Sequence, residues 1–367
     1  MSRGFTVRFA LSFAAVLSLG AMAEAAEEKI VNVYNWSDYI DEEILADFTA
    51  ETGIKVVYDV FDSNEVLETK LLIGGTGYDV VVPSGTFLSR QIEAGVFMKL
   101  DKSKLPNLKH MWKEIEERVA RYDPGNAYSV NYMWGTTGLG YNVAKITERM
   151  PDAPVDSWRL LFDPEIVSKF ADCGVHVLDA PSELIPAALN YLGLDPDSKD
   201  AADIEKAGEA LMKIRPYIQK FHSSEYINAL ANGDICLALG WSGDILQARD
   251  RAAEAKNDVE IAYVIPKEGA LMWFDQLAIP ADAPHPDNAH AFIDYLMRPE
   301  VAAKASNYVF YANGNKDSQP LLDEAVINDP AIYPDESTVS KIYITTSYDP
   351  DIQRIVTRTW TRVKSGS

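Results

Sequence analysis

Cysteine is scarce in this chain: Cys173 and Cys236 are the only two among 367 residues. Neither CxxC nor HExxH occurs, which excludes the common structural and protease zinc sites. The histidines, His110, His176, His222, His285 and His290, lack metal-ligand spacing and read as surface or structural residues. Gly74-Gly75-Thr76-Gly77 has no phosphate-loop lysine, and Gly240-Trp241-Ser242-Gly243 misses the GxSxG spacing of a nucleophile elbow. Positive charge is also in short supply, with 34 Lys and Arg against 55 Asp and Glu and a formal net charge of −21. A field of that sign repels nucleic acid and anionic lipid and gathers cations, besides favouring solubility. Gly/Ser-rich or Pro-rich spacers, internal repeats and low-complexity tracts are missing, so nothing suggests independent domains on a linker. With no catalytic constellation, metal site or cofactor motif in view, the chain reads as a non-enzyme.

Long apolar runs are confined to the first residues. Arg3 and Arg8 form a basic start, Ala10 to Leu19 an apolar middle, and Ala21-Met22-Ala23 or Ala23-Glu24-Ala25 a small-residue cleavage site. The run falls short of the roughly 20 residues that span a bilayer, so residues 1–25 read as a cleaved export signal rather than an anchor. Cleavage at Ala23 removes Arg3 and Arg8 and no acid, taking the charge from −21 to −23. The mature protein is expected outside the cytoplasm, where a lone cysteine pair usually forms one disulfide. A Cys173–Cys236 bridge would put both residues in one domain, within roughly 7 Å by Cα.

About 340 mature residues exceed what one core usually serves, so two lobes are expected. Strand and helix alternate. Residues 30–34 are apolar and β-rich, 42–52 helical with Gly53 as stop, and 54–61 strand. Then come a Ser63-capped helix over 63–73, a Gly-rich turn and a buried strand over 79–82. This βαβαβ pattern predicts an open parallel sheet with helices on both faces and ligands at the strands' carboxyl ends. Further on, 128–141 reads as a strand pair, 203–214 as helix, 236–241 as buried strand and 245–255 as helix. The segments 260–265 and 276–279 read as returning strands, and 286–296 and 299–306 as helices. The fold class is α/β, two-lobed with strand crossovers. The approximate lobes are 27–134 with 260–309, and 135–259 with 310–367.

Three aromatic-plus-acid clusters stand at predicted strand ends: Trp36-Ser37-Asp38-Tyr39, Trp241-Ser242-Gly243-Asp244 and Trp273-Phe274-Asp275. Aromatic faces attract ammonium groups and carboxylates neutralise them, so the combination suits a flexible organic amine. Singly, each residue has a structural alternative. Trp36 or Trp241 suits core packing more readily than a ligand role, and Asp38 and Asp244 are equally placed to cap helices. Asp275 is different, because an unpaired carboxylate among apolar residues entering a strand is costly and so points to function.

The stretch Tyr34-Asn35-Trp36-Ser37-Asp38-Tyr39-Ile40 resembles the polyamine-binding proteins of bacterial ABC importers. Matching stretches extend over nearly the whole mature chain: residues 78–84, 132–138, 239–244 and 307–313. The resemblance implies a two-lobed type II periplasmic binding fold and a periplasmic location. It also implies delivery of putrescine or spermidine to an ABC permease in the inner membrane. The pocket it implies comprises Trp36, Ser37, Asp38, Tyr39, Ser84, Glu183, Trp241, Asp244, Trp273, Asp275 and Tyr311, and it pairs Cys173 with Cys236. A monomer with a polyamine ligand and no nucleic-acid partner is expected. Asp244, Asp275 and Ser37 would clamp one ammonium, and Glu183 with Ser84 or Asp38 the other, between walls of Trp36, Trp241, Trp273 and Tyr311. The alternatives are a same-fold receptor for another organic cation or a sugar, and an exported glycosidase using an acid pair such as Asp244 and Asp275. The larger ring at Trp273 leaves ligand length open.

Overall fold

The computed structural model describes residues 27–366 together with Met1. The expected export signal and its cleavage site therefore lie almost wholly outside the described residues. Strand β1 (Ile30–Trp36) is followed by the helix Glu42–Thr52. The Asp41 carboxylate caps this helix by accepting from the Glu43 N–H, and Gly53 at φ 71° ends it with its N–H on the Thr49 carbonyl. Next are β2 (Lys55–Phe61), the helix Asn64–Ile73 capped by Ser63, β3 (Val80–Val81) and the helix Gly85–Glu93. β1 runs parallel to both β2 and β3, in register from Ile30 opposite Lys55 to Trp36 opposite Phe61. The expected βαβαβ unit is present, and it ends Trp36 and Ser84 at the carboxyl edge of the sheet.

Beyond this unit the sheet is mixed rather than all parallel. Its order is β2-β1-β3-β9-β4-β7-β5-β6, with β8 and β10 also paired to β4. The later strands are β5 (Val175–Val177), β6 (Lys220–Phe221), β7 (Leu237–Trp241), β8 (Ile261–Val264), β9 (Leu271–Ala278) and β10 (Ala312–Asn313). β4 (Ser129–Asn142) is one 14-residue strand, where a strand pair was expected. Its glycines suggest turns in the sequence, yet they serve close approach: a Cβ at Gly138 would lie 2.4 Å from the Val264 carbonyl oxygen. β4 pairs antiparallel with β9 over residues 129–137 and with β7 and β8 over residues 137–142, so one strand passes from one half of the sheet to the other. The parallel expectation fails here because β4 and β9 run against their neighbours.

Two further corrections bear on the site. Trp273-Phe274-Asp275 lies within β9, not at a strand end, and the strand starts at Leu271 rather than Gln276. The helix after β7 begins at Ser242, so Asp244 sits in its first turn instead of ahead of it.

Two large apolar cores flank the crossover. One gathers Val31, Val33, Phe48, Leu67, Val80 and Val81 with Ile279, Phe292 and Ile293. The other gathers Trp158, Phe162, Phe170, Val175, Leu184, Leu211, Tyr226 and Leu237, with Trp360 and Val363 of the C-terminal helix Pro350–Ser365. A smaller cluster around Trp134, Phe274 and Leu322 forms a third. This is the two-lobed type II fold. No helix among the described residues is long and apolar enough to cross a membrane.

Cys173 and Cys236 are bonded, with Cα atoms 5.6 Å apart and a sequence separation of 63. They precede the paired strands β5 and β7 and sit in the second core. Closing a loop of that length removes unfolded-chain freedom worth about 4 kcal/mol in the chain-entropy model, and 2–4 kcal/mol is the usual yield. The double variant Cys173→Ala/Cys236→Ala is expected to lose about that much stability, seen as a lower urea midpoint for the second core. An unchanged midpoint would show that the bridge does not constrain the unfolded chain.

Candidate functional site

Between the two cores, at the carboxyl ends of β1, β3 and β7, lies a cleft of about 430 Å³. Ten of the eleven residues singled out from sequence line it: Trp36, Ser37, Tyr39, Ser84, Glu183, Trp241, Asp244, Trp273, Asp275 and Tyr311. Asp62, Asn64 and Ser223 complete the lining. Four carboxylates thus face the space, and among the described residues no Lys, Arg or His does.

Three of these acids are buried and held by neutral hydroxyl groups. Asp275 receives the Tyr39 hydroxyl at 2.8 Å and the Ser84 hydroxyl at 2.6 Å. Ser84 is fixed in turn by Asn64, whose amide nitrogen donates to its hydroxyl at 2.9 Å and whose carbonyl accepts its backbone N–H at 3.0 Å. Asp244 receives the Tyr226 and Tyr311 hydroxyls, each at 2.7 Å, and its place in the first turn of Ser242–Ala255 sets it in the favourable field of a helix N-terminus. Glu183, in the first turn of the helix Pro181–Tyr191, receives the Thr137 hydroxyl at 2.5 Å.

Burial dominates the electrostatics. Desolvation raises the Asp244 carboxyl to about 6 and those of Asp275 and Glu183 to about 7, against the opposing pull of the hydroxyl donors. Carboxyls placed this way ionise only at a cost, which a cation nearby would lower.

The aromatic side chains pack edge to face around the acids. Trp36 and Trp241 approach to 5.5 Å between ring centroids, and Tyr311 lies 5.2 Å from Trp273 and 5.3 Å from Tyr39. The Trp36 indole N–H is anchored on the Val82 carbonyl at 2.9 Å. Gly243 and Gly135 make room for Tyr311: a Cβ on either would come within 3 Å of its ring. Because side chains alternate along a strand, Trp273 and Asp275 of β9 share one face, which is why both reach the cleft from mid-strand.

Asp38 does not line the cleft. Its backbone is left-handed, φ 53°, and its carboxylate meets Arg251 at 2.6 Å while its carbonyl accepts from the Gln247 amide. It does not cap the following helix either, since Asp41 does. Sequence reasoning passed over Asp62, Asn64 and Ser223. Asn64 follows the Ser63 cap and carries no signal beyond a helix start, and Ser223 has no distinguishing context. Tyr226, buried behind Asp244, was likewise invisible among the apolar residues around it.

Residues 43–334 match the model of the bacterial extracellular solute-binding protein family. The chain is 54% identical over 350 residues to the putrescine-binding periplasmic protein SpuD of Pseudomonas aeruginosa, covering 95% of each. It is 53% identical to the putrescine-binding periplasmic protein PotF of Escherichia coli, covering 96% of each. Among solved structures it resembles the spermidine/putrescine ABC transporter substrate-binding protein PotD of Streptococcus pneumoniae, with a TM-score of 0.74 and 30% identity over 92% of this chain and 99% of that one.

The raised carboxyls give a pH signature to the empty protein. A carboxylic acid with a higher pKa folded than unfolded binds more protons in the folded state, so stability falls as pH rises from about 4 to about 7. Asp275→Asn removes one such group without changing its shape. The variant is expected to be more stable than the parent at pH 8, by on the order of 1–2 kcal/mol, and to show no such gain at pH 4. Equal destabilisation at both pH values in chemical denaturation would contradict the assignment.

Proposed function

This chain belongs to the bacterial extracellular solute-binding proteins, and from that premise we propose that its cleft closes on a polyamine, putrescine or spermidine, for delivery to an ABC importer. The observation that carries the reading is the lining itself: four carboxylates, no base, and walls of Trp36, Trp241, Trp273 and Tyr311. One ammonium lies between Asp244, Asp275 and Ser37, the other beside Glu183, and the methylenes pack on the aromatic rings. The relatives named for putrescine and spermidine support that ligand class. Sugar sites favour neutral amides and arginine over converging acids, which weighs against a carbohydrate. The relatives are named as binding proteins, which supports a receptor over a glycosidase.

Transport requires two states. The lobes, approximately 27–134 with 260–309 and 135–259 with 310–367, move about the crossover strands. The ligand favours closure through contacts to both, because it shifts the equilibrium only by its differential affinity. Asp38 enters here as a closing contact rather than a ligand residue, since its ion pair with Arg251 bridges the two lobes at the cleft edge. The protein acts in the periplasm after removal of residues 1–25, as a monomer that docks on an inner-membrane permease.

Trp36→Ala and Trp241→Ala, one change on each side of the cleft, are each expected to weaken polyamine binding by about 1–3 kcal/mol. Calorimetry showing parental affinity in both would remove the pocket from consideration. Affinity should also fall as pH drops from 8 to 5. Alkylamines stay protonated throughout, as lysine does, whereas Asp244, Asp275 and Glu183 must release protons to pair with them. Isothermal titration in buffers of different ionisation enthalpy would detect the protons released on binding near pH 6. Binding independent of pH over that range would count against carboxylate recognition.

A further inference from the structure

One irregularity in β4 decides which of its residues reach the cleft. β4 pairs with β9 in steady register from Ser129 opposite Ala278 to Asn131 opposite Gln276, and pairing resumes with Met133 opposite Asp275. Tyr132 has no partner in that ladder, so two residues of β4 advance against one of β9, which is a β-bulge. Residues opposed across an antiparallel pair share a face, and one extra residue exchanges the faces of everything beyond it. Because of the bulge, Met133, Gly135 and Thr137 fall on the side of Asp275, Trp273 and Leu271. With unbroken alternation Gly135 would leave its place against the Trp273 and Tyr311 rings, where a Cβ would stand 2.7 and 2.9 Å away, and Thr137 would turn from Glu183.

A single side chain clasps the bulge. Asn131 is 6% exposed, and its amide nitrogen donates to the Met133 and Asp275 carbonyls, each at 3.1 Å. These are the two residues at which pairing resumes. The two acceptors also settle the amide's orientation, since a flipped oxygen would face two carbonyl oxygens. Gly314 gives the amide oxygen room, because a Cβ there would stand 2.6 Å from it, and the Gly314 N–H donates to the carbonyl of the extra residue, Tyr132, at 3.3 Å. The Tyr132 side chain in turn reaches the site's supports. Its hydroxyl donates to the Tyr39 carbonyl at 2.9 Å, its ring meets that of Tyr39 edge to face at 5.4 Å, and the Tyr39 hydroxyl donates to Asp275 at 2.8 Å.

We propose that Asn131 is a positioning residue for ligand binding: through the bulge it clasps, it sets where Asp275 stands on β9 and brings Tyr132 against Tyr39, so that the carboxylate and its hydroxyl donor meet an ammonium together. This rests on the polyamine reading of the cleft and adds to it a residue outside the lining. Asn131 faces two hollows of about 390 and 270 Å³ within the first lobe and is not among the residues that form the cleft. Its effect is transmitted because charge-assisted contacts are short and directional, and a site tolerates displacement of only about 0.5 Å before they weaken. Without the amide, the buried Met133 and Asp275 carbonyls lose a shared donor, and nothing else spans the break between them.

The test is a double-mutant cycle read by calorimetry with putrescine. Asn131→Ala should weaken binding about tenfold or more in the parent, yet by about twofold or less in an Asp275→Asn background, where the carboxylate it positions is gone. Beside Trp241→Ala, on the other lobe, the loss should stay at about tenfold. Equal losses in both backgrounds would make Asn131 a general support of the fold and overturn the positioning role, as would parental affinity in Asn131→Ala. Tyr132→Phe keeps the ring and the bulge and removes only the hydroxyl on Tyr39. It should weaken putrescine about threefold, again only while Asp275 is present. If Asn131→Ala does not fold, this variant decides: unaltered affinity, or a loss that persists beside Asp275→Asn, would overturn the proposal. Absence of putrescine binding by the parent would instead sink the polyamine reading, and this role with it.

Discussion

Three buried carboxylates facing one space, with no Lys, Arg or His beside them among the described residues, form the constraint around which the rest of this molecule is arranged. Water solvates such groups well and protein does so poorly, so each needs donors that do not neutralise it. Neutral hydroxyls fill that role here: Tyr39 and Ser84 on Asp275, Tyr226 and Tyr311 on Asp244, and Thr137 on Glu183. A lysine or arginine in any of these places would neutralise the acid permanently. The hydroxyls fix the geometry and leave the charge unmet.

Fold and site are coupled through the crossover strands. β4 and β9 carry Thr137, Trp273 and Asp275 into a position between the two cores, while β1 and β7 end at the cleft from opposite sides with Trp36 and Trp241. Close approach needs small residues at the crossing, and Gly135 and Gly138 supply them on β4, as Gly243 does beneath Tyr311. The disulfide sits at the other end of β5 and β7, so it can strengthen the second core without restraining the cleft.

Much of this is legible in sequence because the strand-end signals are local. A β-rich run that stops at Trp36 or Trp241 needs no knowledge of the tertiary structure, and strand ends are where α/β sheets bind ligands. Asp275 is legible for the opposite reason, as a violation: a carboxylate among apolar residues has no local explanation. What escapes is whatever depends on direction within a segment. Ser37 and Tyr39 point into the cleft while Asp38 between them points out to Arg251, and the deciding fact, a left-handed backbone at Asp38, leaves no mark in the residue type. The glycines of β4 mislead similarly, because a glycine that admits a neighbouring ring looks like one that makes a turn.

Tyr226 shows how the supporting layer stays hidden and why it matters. Its hydroxyl donates to Asp244 and accepts the Trp241 backbone N–H at 3.1 Å, so one buried atom fixes both an acid and an aromatic wall. The ring reaches that position by lying against Gly240, where a Cβ would stand 2.5 Å from it. Nothing in the surrounding sequence distinguishes this tyrosine from a packing residue, yet without its hydroxyl Asp244 would lose one of the two donors that oppose its desolvation. The ability of the cleft to present charge near neutral pH therefore depends on residues that do not line it, and the aromatic-plus-acid clusters work only as the exposed face of that second layer.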